Sequence, residues 1–503
     1  MACSCEACEP CRDAEAVDVE RRETQEMISI EALPSEEEYT RHHTSQDSAL
    51  HHGRWTEEHE APITHHLQRM STDISDTGLK VEGDFIRAIT MRRSLRQWGW
   101  IWRRPMLPMS DEDRLALFQL SKPSKGYDSF LSHSWQTWGG WKYFSLVLYS
   151  CRRWLLAWWF VWIVLAFLMS LCFDLPTYGK VSPETPGFWC RCPTGPWVKV
   201  SGLLSIVTGL LLAPYAPDCL SQADSCFMDA ACIHQADARL KEQGIYSIGG
   251  FLSLSREMRV LWSPPYMSRL WCIFELAAFR KRNPTGKLVI APLFVEHAVL
   301  IGILGAYAAA GALLLSTSLT GMSELSFFVS LSPVLFMIHY LRRTAEAKDK
   351  LIHDLQHFTL AGAQCSLEAD RHFILRAIRR WYGSTRAFEE HVRGPLREEL
   401  LQSATKISTT YVVLLASAAT AAILEDHLAL WRGGVPFLDA LAHFMGFVLG
   451  SYTFWAAMCF RAVISLSFAT SRRRWIVLDY IITLSIHVLF CCMAVLGNMV
   501  AQE

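Results

Sequence analysis

The sequence predicts two kinds of structure in one chain, an α/β domain with a parallel sheet and an all-α transmembrane bundle. Four short apolar segments with the pattern of buried strands are separated by segments of helical length, which is typical of a parallel, doubly wound sheet. Of the 503 residues 51% are hydrophobic, 19 are Trp and only 19% of the residues are charged, a composition that membrane-spanning helices explain.

The predicted strands lie between residues 126 and 294. The first runs into a polar turn, the second is short and ends on an acidic residue, and in the third polar and apolar residues alternate. A helical segment over 244–255 precedes the third strand, and a further helix starting near Ser268 follows it. In chain order the predicted strands are 126–135, 226–229, 257–262 and 287–294.

The segment after the third strand carries the most specific motif of the chain, Trp271-Cys272-Ile273-Phe274-Glu275-Leu276, with one acidic residue a helical turn after a tryptophan. It resembles the Trp-Cys-x-x-Glu-Leu helix of Toll/interleukin-1 receptor (TIR) domains. The run over 127–132 is similar to the opening motif of that family, aromatic-Asp-x-Phe-hydrophobic-Ser. The resemblance implies a flavodoxin-like, TIR-like fold in a cytosolic domain. In the family members that are enzymes, the glutamate matching Glu275 cleaves NAD.

The segment 229–235 departs from the TIR pattern, which expects an Arg-Asp-x-x-Pro-Gly-like loop. It is more similar to the Asp-x-x-Cys-Ile-Asn-Gln signature of fungal heterokaryon-incompatibility (HET) domains. The later Arg-x-Trp-x-x-x-Glu motif of that family matches 269–275. HET domains are regarded as remote relatives of TIR domains, so the two resemblances imply one TIR/HET-like fold over the part of the chain between residues 126 and 294.

Long apolar segments in the remainder of the chain are candidate membrane spans, and most approach the roughly 20 residues that cross a bilayer. The second is short and ends at Pro214, which leaves a re-entrant or interfacial segment as an alternative. Arginine clusters at 152–153, 342–343 and 472–474 predict a cytosolic amino terminus and a cytosolic sheet domain, because Lys and Arg prefer the cytosolic side of short loops. The candidate spans are 154–173, 200–214, 297–319, 325–341, 407–424, 438–460 and 475–499.

These spans divide the chain into predicted domains. Residues 1–110 are polar and charged with few aliphatic runs, which predicts a largely disordered cytosolic arm with a short helix around 84–95. In place of a fifth strand the sequence offers a soluble segment of helical pattern. After the arm, the two parts of the TIR-like domain are predicted at 111–153 and 215–296, with a transmembrane hairpin between them at 154–214. A second transmembrane hairpin follows at 297–341. The helical segment is predicted at 342–406 and three transmembrane helices at 407–499.

Ligands of an open parallel sheet bind beyond the carboxyl ends of its strands, where the candidate site residues converge. Trp271 and Glu275 are four residues apart on one helix face, and an indole beside a carboxylate suits a cationic nicotinamide ring. The dipole of their helix favours an ionised Glu275. Glu275 is the predicted catalytic residue, and the predicted substrate-binding residues are Ser132, His133, Ser134, Trp135, Asp229 and Trp271.

Several of these residues also have an ordinary structural role open to them. Trp271 is then a core residue between helix and sheet, and Glu275 lies on a solvated helix face. A histidine at a strand end commonly bonds to the backbone, which is the alternative for His133. Asp229 is placed to cap the segment that follows it.

The sequence therefore leaves more than one function open. The first is a membrane-anchored TIR/HET-like signalling protein that hydrolyses NAD, which is then a substrate and not a cofactor. The second is a non-enzymatic adaptor that associates with itself through residues 230–243, and the third is a channel or transporter with a nucleotide-sensing domain. The lipid bilayer is the expected partner. A formal net charge of −1 without a basic stripe argues against nucleic acid, and no metal is expected.

Overall fold

The described residues form a six-stranded mixed sheet, a separate antiparallel pair of strands (Gly179–Val181 and Cys192–Thr194) and a set of long apolar helices. The computed structural model describes residues 85–103, 109–181, 192–216, 224–320, 331–404, 408–471 and 475–502, and all of these belong to one compact unit. The strands are β1 (Arg87–Thr90), β2 (Lys122–Pro123), β3 (Tyr127–His133), β4 (Gly179–Val181), β5 (Cys192–Thr194), β6 (Ser225–Phe227), β7 (Ser255–Trp262) and β8 (Lys287–Pro292).

Helices on and around the sheet alternate with its strands. They are α1 (Met91–Arg103), α2 (Asp111–Leu120), α3 (Gly139–Cys172), α4 (Trp197–Leu212), α5 (Asp229–Cys232), α6 (Ala238–Tyr246), α7 (Ile248–Ser253), α8 (Leu270–Arg282) and α9 (Leu293–Thr320). The later helices are α10 (Ser332–Gln356), α11 (Glu368–Tyr382), α12 (Thr385–His391), α13 (Arg397–Ala404), α14 (Thr409–Arg432), α15 (Phe437–His443), α16 (Ala456–Ala469) and α17 (Ile476–Gln502). A π-helical stretch, Phe444–Trp455, joins α15 to α16.

The strand order in the sheet is β2-β1-β6-β3-β7-β8. The four strands β6, β3, β7 and β8 are parallel, and they correspond to the four segments predicted from the apolar pattern. Numbered along the chain, these four lie in the order 2-1-3-4, as do the first four strands of a flavodoxin-like sheet. The sheet differs from the purely parallel one predicted because β1 pairs antiparallel with both β2 and β6 at one edge.

The strand β1 and the helix α1 lie inside the segment 1–110 that the sequence assigned to a disordered arm. That boundary is corrected by the fold, since Ile89, Leu95 and Trp102 are buried in the core of the sheet domain. Three residues of α1, from Gln97 to Gly99, have positive φ angles, which divides the helix into two short pieces. Residues 1–84 and 104–108 of the predicted arm lie outside the described residues.

Two long helices connect the sheet directly to the bundle. The helix α3 begins after β3, and its first part packs in the core of the sheet domain through Tyr143, Leu146 and Val147. Its later residues, such as Leu155 and Trp159, belong to the core of the bundle. The helix α9 starts at the residue after β8. The predicted boundary at 153–154 therefore falls inside one continuous helix.

By length and composition, six helices of the described part could cross a membrane, which is compatible with a multi-pass membrane protein. They are Gly139–Cys172, Trp197–Tyr215, Leu293–Leu313, Thr409–Arg432, Phe437–Ala469 and Ile476–Gln502. The predicted span 325–341 lies partly outside the described residues, and its described part opens α10. Arg342 in this helix is buried and forms an ion pair of 2.8 Å with Asp479 of α17.

The end of α10 and the helices α11 and α13 that follow it pack on the sheet domain. Leu355, Ile374 and Trp381 are part of the same core as the strands, and α13 lies against β8. The loop before α11 also joins the start of α8, because Leu270 N–H donates to Gln364 O at 2.9 Å and Gln364 N–H donates to Ser268 O at 2.7 Å. The helical segment therefore holds the amino end of the helix that carries Glu275.

Candidate functional site

The carboxyl ends of the parallel strands bring most of the predicted site residues together. Ser132 and His133 are the last two residues of β3, and Asp229 opens α5 two residues after β6 ends. Beyond β7, Pro264 and Pro265 break the chain before α8 begins at Leu270. Glu275 lies in the second turn of α8 and reaches back to β3.

A chain of hydrogen bonds ties Glu275 to the interior of the domain. Ser132 Oγ donates a short hydrogen bond to Glu275 Oε2 and lies 2.6 Å from the hydroxyl of Tyr266. Tyr266 OH is also 3.4 Å from the backbone oxygen of Cys272. Ser132 and Tyr266 are both buried, whereas the side chain of Glu275 is only partly buried. Among the described residues, nothing donates a hydrogen bond to Glu275 Oε1.

Burial of the Glu275 carboxyl raises its pKa to about 8. The hydrogen bond from Ser132 opposes this shift, and the charge of Asp229 adds to it. The carboxyl is therefore mainly protonated at neutral pH when no ligand is bound. This differs from the expectation that the dipole of α8 favours the ionised form, because the loss of hydration outweighs the dipole at this position.

His133 is a buried neutral imidazole. Its Nε2 lies 3.9 Å from Asp229 Oδ1 and forms no hydrogen bond within the described part of the chain. The pKa of His133 is lowered to about 4, mainly by burial and also by the nearby ammonium of Lys142, while the charge of Asp229 acts in the opposite direction. The ring packs edge-on against Trp102 and Trp135, with centroid distances of 5.3 and 4.7 Å.

Asp229 and Trp135 form a direct contact across two strand ends. The indole N–H of Trp135 donates to Asp229 Oδ2 at 2.9 Å. The other oxygen, Oδ1, accepts the backbone N–H of the next residue, Ala230, at 2.8 Å. Asp229 does not cap α5, because Met228 holds the N-cap position and makes no side-chain capping hydrogen bond. Both carboxylate oxygens are thus occupied, and the side chain holds the loop after β3 against the start of α5.

Two predicted site residues are engaged elsewhere. The indole N–H of Trp271 donates to Asp370 Oδ2 of α11 at 3.1 Å, and its ring packs against Phe274 and Phe373. Trp271 therefore packs α8 against α11, and not a helix against the sheet as the structural alternative had it. Ser134 is buried in the turn after β3, where its hydroxyl accepts the N–H of Gln136 at 3.3 Å.

Sequence reasoning missed Lys142 and Tyr266, although both belong to the site. Lys142 in the first turn of α3 is 2% exposed, and its ammonium lies 5.3 Å from the centre of the Trp135 ring. The signal in the sequence is a Gly-Gly pair and a lysine at the start of an otherwise apolar helix that follows a sheet strand. Tyr266 had no signal, because its contact with Ser132 joins residues 134 positions apart.

The described residues contain no group of three or more His, Cys, Asp or Glu side chains that could hold a metal ion. The chemistry available at this edge is that of one protonatable carboxyl, one neutral imidazole, one buried ammonium and indole faces. No family model, no curated protein and no solved structure matches the chain.

Proposed function

We propose that the protein is a membrane-anchored signalling protein whose TIR-like domain, with HET-like features, hydrolyses NAD at Glu275. The observation that carries the proposal is the position of Glu275. It lies at the carboxyl edge of four parallel strands in the order 2-1-3-4, and it is hydrogen-bonded to Ser132 at the end of β3. Ligands of flavodoxin-like sheets bind at this edge, next to the central strands where the order reverses.

The proposed reaction breaks the bond between the ribose and nicotinamide and adds water to the ribose, giving ADP-ribose, nicotinamide and a proton. As neutral nicotinamide leaves, positive charge moves to the ribose ring, and the ionised carboxylate of Glu275 stabilises it in the way that glycosidase carboxylates do. The free Oε1 is the atom that faces this charge, while Ser132 holds Oε2.

The raised pKa of Glu275 fits a cationic substrate. A pyridinium ring beside the carboxyl favours its ionised form, so substrate binding releases the proton that burial retains. The carboxyl then carries its charge only when a cation is present. Ser132 remains as a donor to the carboxylate in that state.

NAD consumption by the detergent-purified full chain tests the proposal. Glu275→Gln keeps the shape of the side chain and is expected to lower kcat by roughly a hundredfold or more, the usual effect of removing one electrostatic contact to a transition state. Glu242→Gln, on an exposed position of α6, changes the charge equally and should turn over NAD at the wild-type rate. Equal turnover by wild type and Glu275→Gln rejects the proposal.

The second candidate is a non-enzymatic adaptor, and one observation favours it. Residues 237–239, 241 and 242, inside the segment predicted to mediate self-association, are exposed at the end of the sheet domain. If NAD is not consumed, crosslinking of the purified chain with and without Arg239→Glu decides whether this surface joins two copies.

The proposed orientation places the sheet domain and the helical segment in the cytosol, and its support is the arginine clusters at the span edges. Protease protection of sealed membranes tests it. Cleavage between residues 121 and 135 and between 229 and 294 from the same face is expected, and cleavage from opposite faces rejects the orientation.

A further inference from the structure

The start of α3 lies at the same edge of the sheet as Glu275, and its residues Gly139, Gly140 and Lys142 are buried. The residue before the helix, Trp138, makes no side-chain hydrogen bond to its first turn. The N–H groups of Gly139 and Gly140 have no acceptor among the described residues. A side chain at position 139 would collide with the backbone of Trp102, since a Cβ there would lie 1.6 Å from its oxygen. The first turn of a long helix without a cap presents N–H groups and the positive end of its dipole.

Lys142 adds a full positive charge to this turn. Its side chain is 2% exposed, and within the described residues no carboxylate lies close enough for an ion pair. The ammonium lies over the face of Trp135, 5.3 Å from the centre of the ring. An ammonium group removed from water with no carboxylate at ion-pair distance is costly. The face of Trp135 and the more distant charge of Asp229 compensate only part of that cost.

A second polar atom at this place is also unpaired. His133 Nε2 is buried and forms no hydrogen bond in the described part of the chain, and its side chain is 2% exposed. The nearest carboxylate, Asp229, is already bound by Trp135 and by the N–H of Ala230. An uncapped helix start, a buried ammonium and an unpaired imidazole nitrogen therefore meet at one strand end.

We infer that Lys142 and the first turn of α3 bind the diphosphate group of a dinucleotide whose nicotinamide end lies at Glu275. This inference rests on the proposed function and adds the anion-binding part of the site. Diphosphate oxygens accept hydrogen bonds from free N–H groups at a helix start and pair with a lysine as a point charge. The unpaired nitrogen of His133 is available to a ribose hydroxyl beside the diphosphate.

The structural alternative is that Lys142 only packs on Trp135 and balances the charge of nearby acids. A diphosphate site predicts that a neutral side chain at position 142 weakens anion binding, whereas a purely structural role predicts no change in anion binding. Lys142→Met keeps the length and packing of the side chain, and removal of a buried unpaired charge should leave thermal stability equal to the wild type or higher. Lys142→Gln is a second neutral variant, in case the first does not accumulate.

Binding of ADP-ribose and of inorganic pyrophosphate to the full chain in detergent, measured by calorimetry, is the test. Both neutral variants are expected to bind ADP-ribose about tenfold more weakly or worse, the usual effect of losing a charge-assisted hydrogen bond. Lys142→Arg keeps the charge and should bind more tightly than the neutral variants. Lys125→Met removes an exposed charge just before β3, at the opposite edge of the sheet, and should match the wild type.

Equal affinity of the wild type and Lys142→Met for ADP-ribose overturns the inference, and so does a wild type that binds neither probe. The two proposals fail separately. Binding that depends on Lys142 in a protein that consumes no NAD rejects the hydrolase proposal alone. Turnover of NAD with binding that is independent of Lys142 rejects the diphosphate site alone.

Discussion

Glu275 at the sheet edge and Glu296 in the helix bundle are both withdrawn from water, and their surroundings differ. Glu296 in α9 is 4% exposed, and both of its oxygens are occupied: Ser145 Oγ donates to Oε2 at 3.0 Å and Tyr411 OH donates to Oε1 at 3.2 Å. Glu275 receives one hydrogen bond and keeps a free oxygen near the surface. Burial alone therefore does not mark a site, whereas burial with unused hydrogen-bonding capacity does.

The largest expected effect is a difference in NAD turnover between variants of Glu275 and variants of Glu296. Glu275→Gln should lose roughly a hundredfold or more of NAD turnover, because the charge it supplies acts on the transition state. Glu296→Gln lies outside the site and keeps an acceptor and a similar shape, so its turnover should stay within a few-fold of the wild type. Initial rates of nicotinamide release measure both. A Glu296→Gln enzyme as weak as Glu275→Gln would remove the functional distinction.

Truncation of the side chain to alanine should lower stability more at Glu296 than at Glu275, which is the reverse of the expected effect on activity. Glu296→Ala leaves the hydroxyls of Ser145 and Tyr411 buried without an acceptor, which costs about 1–3 kcal/mol for each group. Glu275→Ala removes an acceptor from Ser132 alone, and the Ser132 hydroxyl can still bond to Tyr266 OH. Thermal unfolding in detergent should show the larger fall in Tm for Glu296→Ala. A larger fall for Glu275→Ala would mean that the sheet edge depends more on its carboxyl than the bundle does.

The pH dependence of turnover sharpens the assignment of Glu275. The free carboxyl has a pKa of about 8, and the proposed chemistry needs its ionised form. The value of kcat/KM should therefore rise about tenfold per pH unit below pH 8 and level off above it, because kcat/KM reports the free enzyme. The value of kcat should level off at a lower pH, since the bound cation favours ionisation. A kcat/KM that is constant between pH 6 and 9 contradicts this assignment.

The smallest effect is expected in the pH dependence of stability. The pKa of Glu275 is raised from 4.5 to about 8 in the folded protein, so the folded state binds more protons than the unfolded state between these values. Stability contributed by the protonated carboxyl is complete below pH 4.5 and is lost as pH rises through 8. Glu275→Gln does not titrate, so its Tm relative to the wild type should increase from pH 5 to pH 9. A Tm difference that stays constant or decreases argues against the raised pKa.

Features set by short stretches of sequence were predictable, and features set by distant contacts were not. The apolar pattern predicted the four parallel strands, and the motif around Trp271 predicted the helix with Glu275. The strand β1 escaped notice because four residues in a polar segment give little periodic signal. The partner of Trp271, Asp370, lies 99 residues further along the chain. Lys142 stood at the start of a long apolar helix, where a charge is easily taken for a flank of a membrane span.

The continuous helix α3 connects the helix bundle to the candidate site. With 34 residues at about 1.5 Å per residue it is about 51 Å long, one end packed in the bundle and the other forming the first turn beside Trp135 and His133. Because the helix is unbroken, a tilt of about 5° at the bundle end displaces the opposite end by roughly 4 Å over that length. This displacement exceeds the length of a hydrogen bond. A tilt of α3 in the helix bundle would therefore move Lys142 relative to Glu275, which is carried on α8.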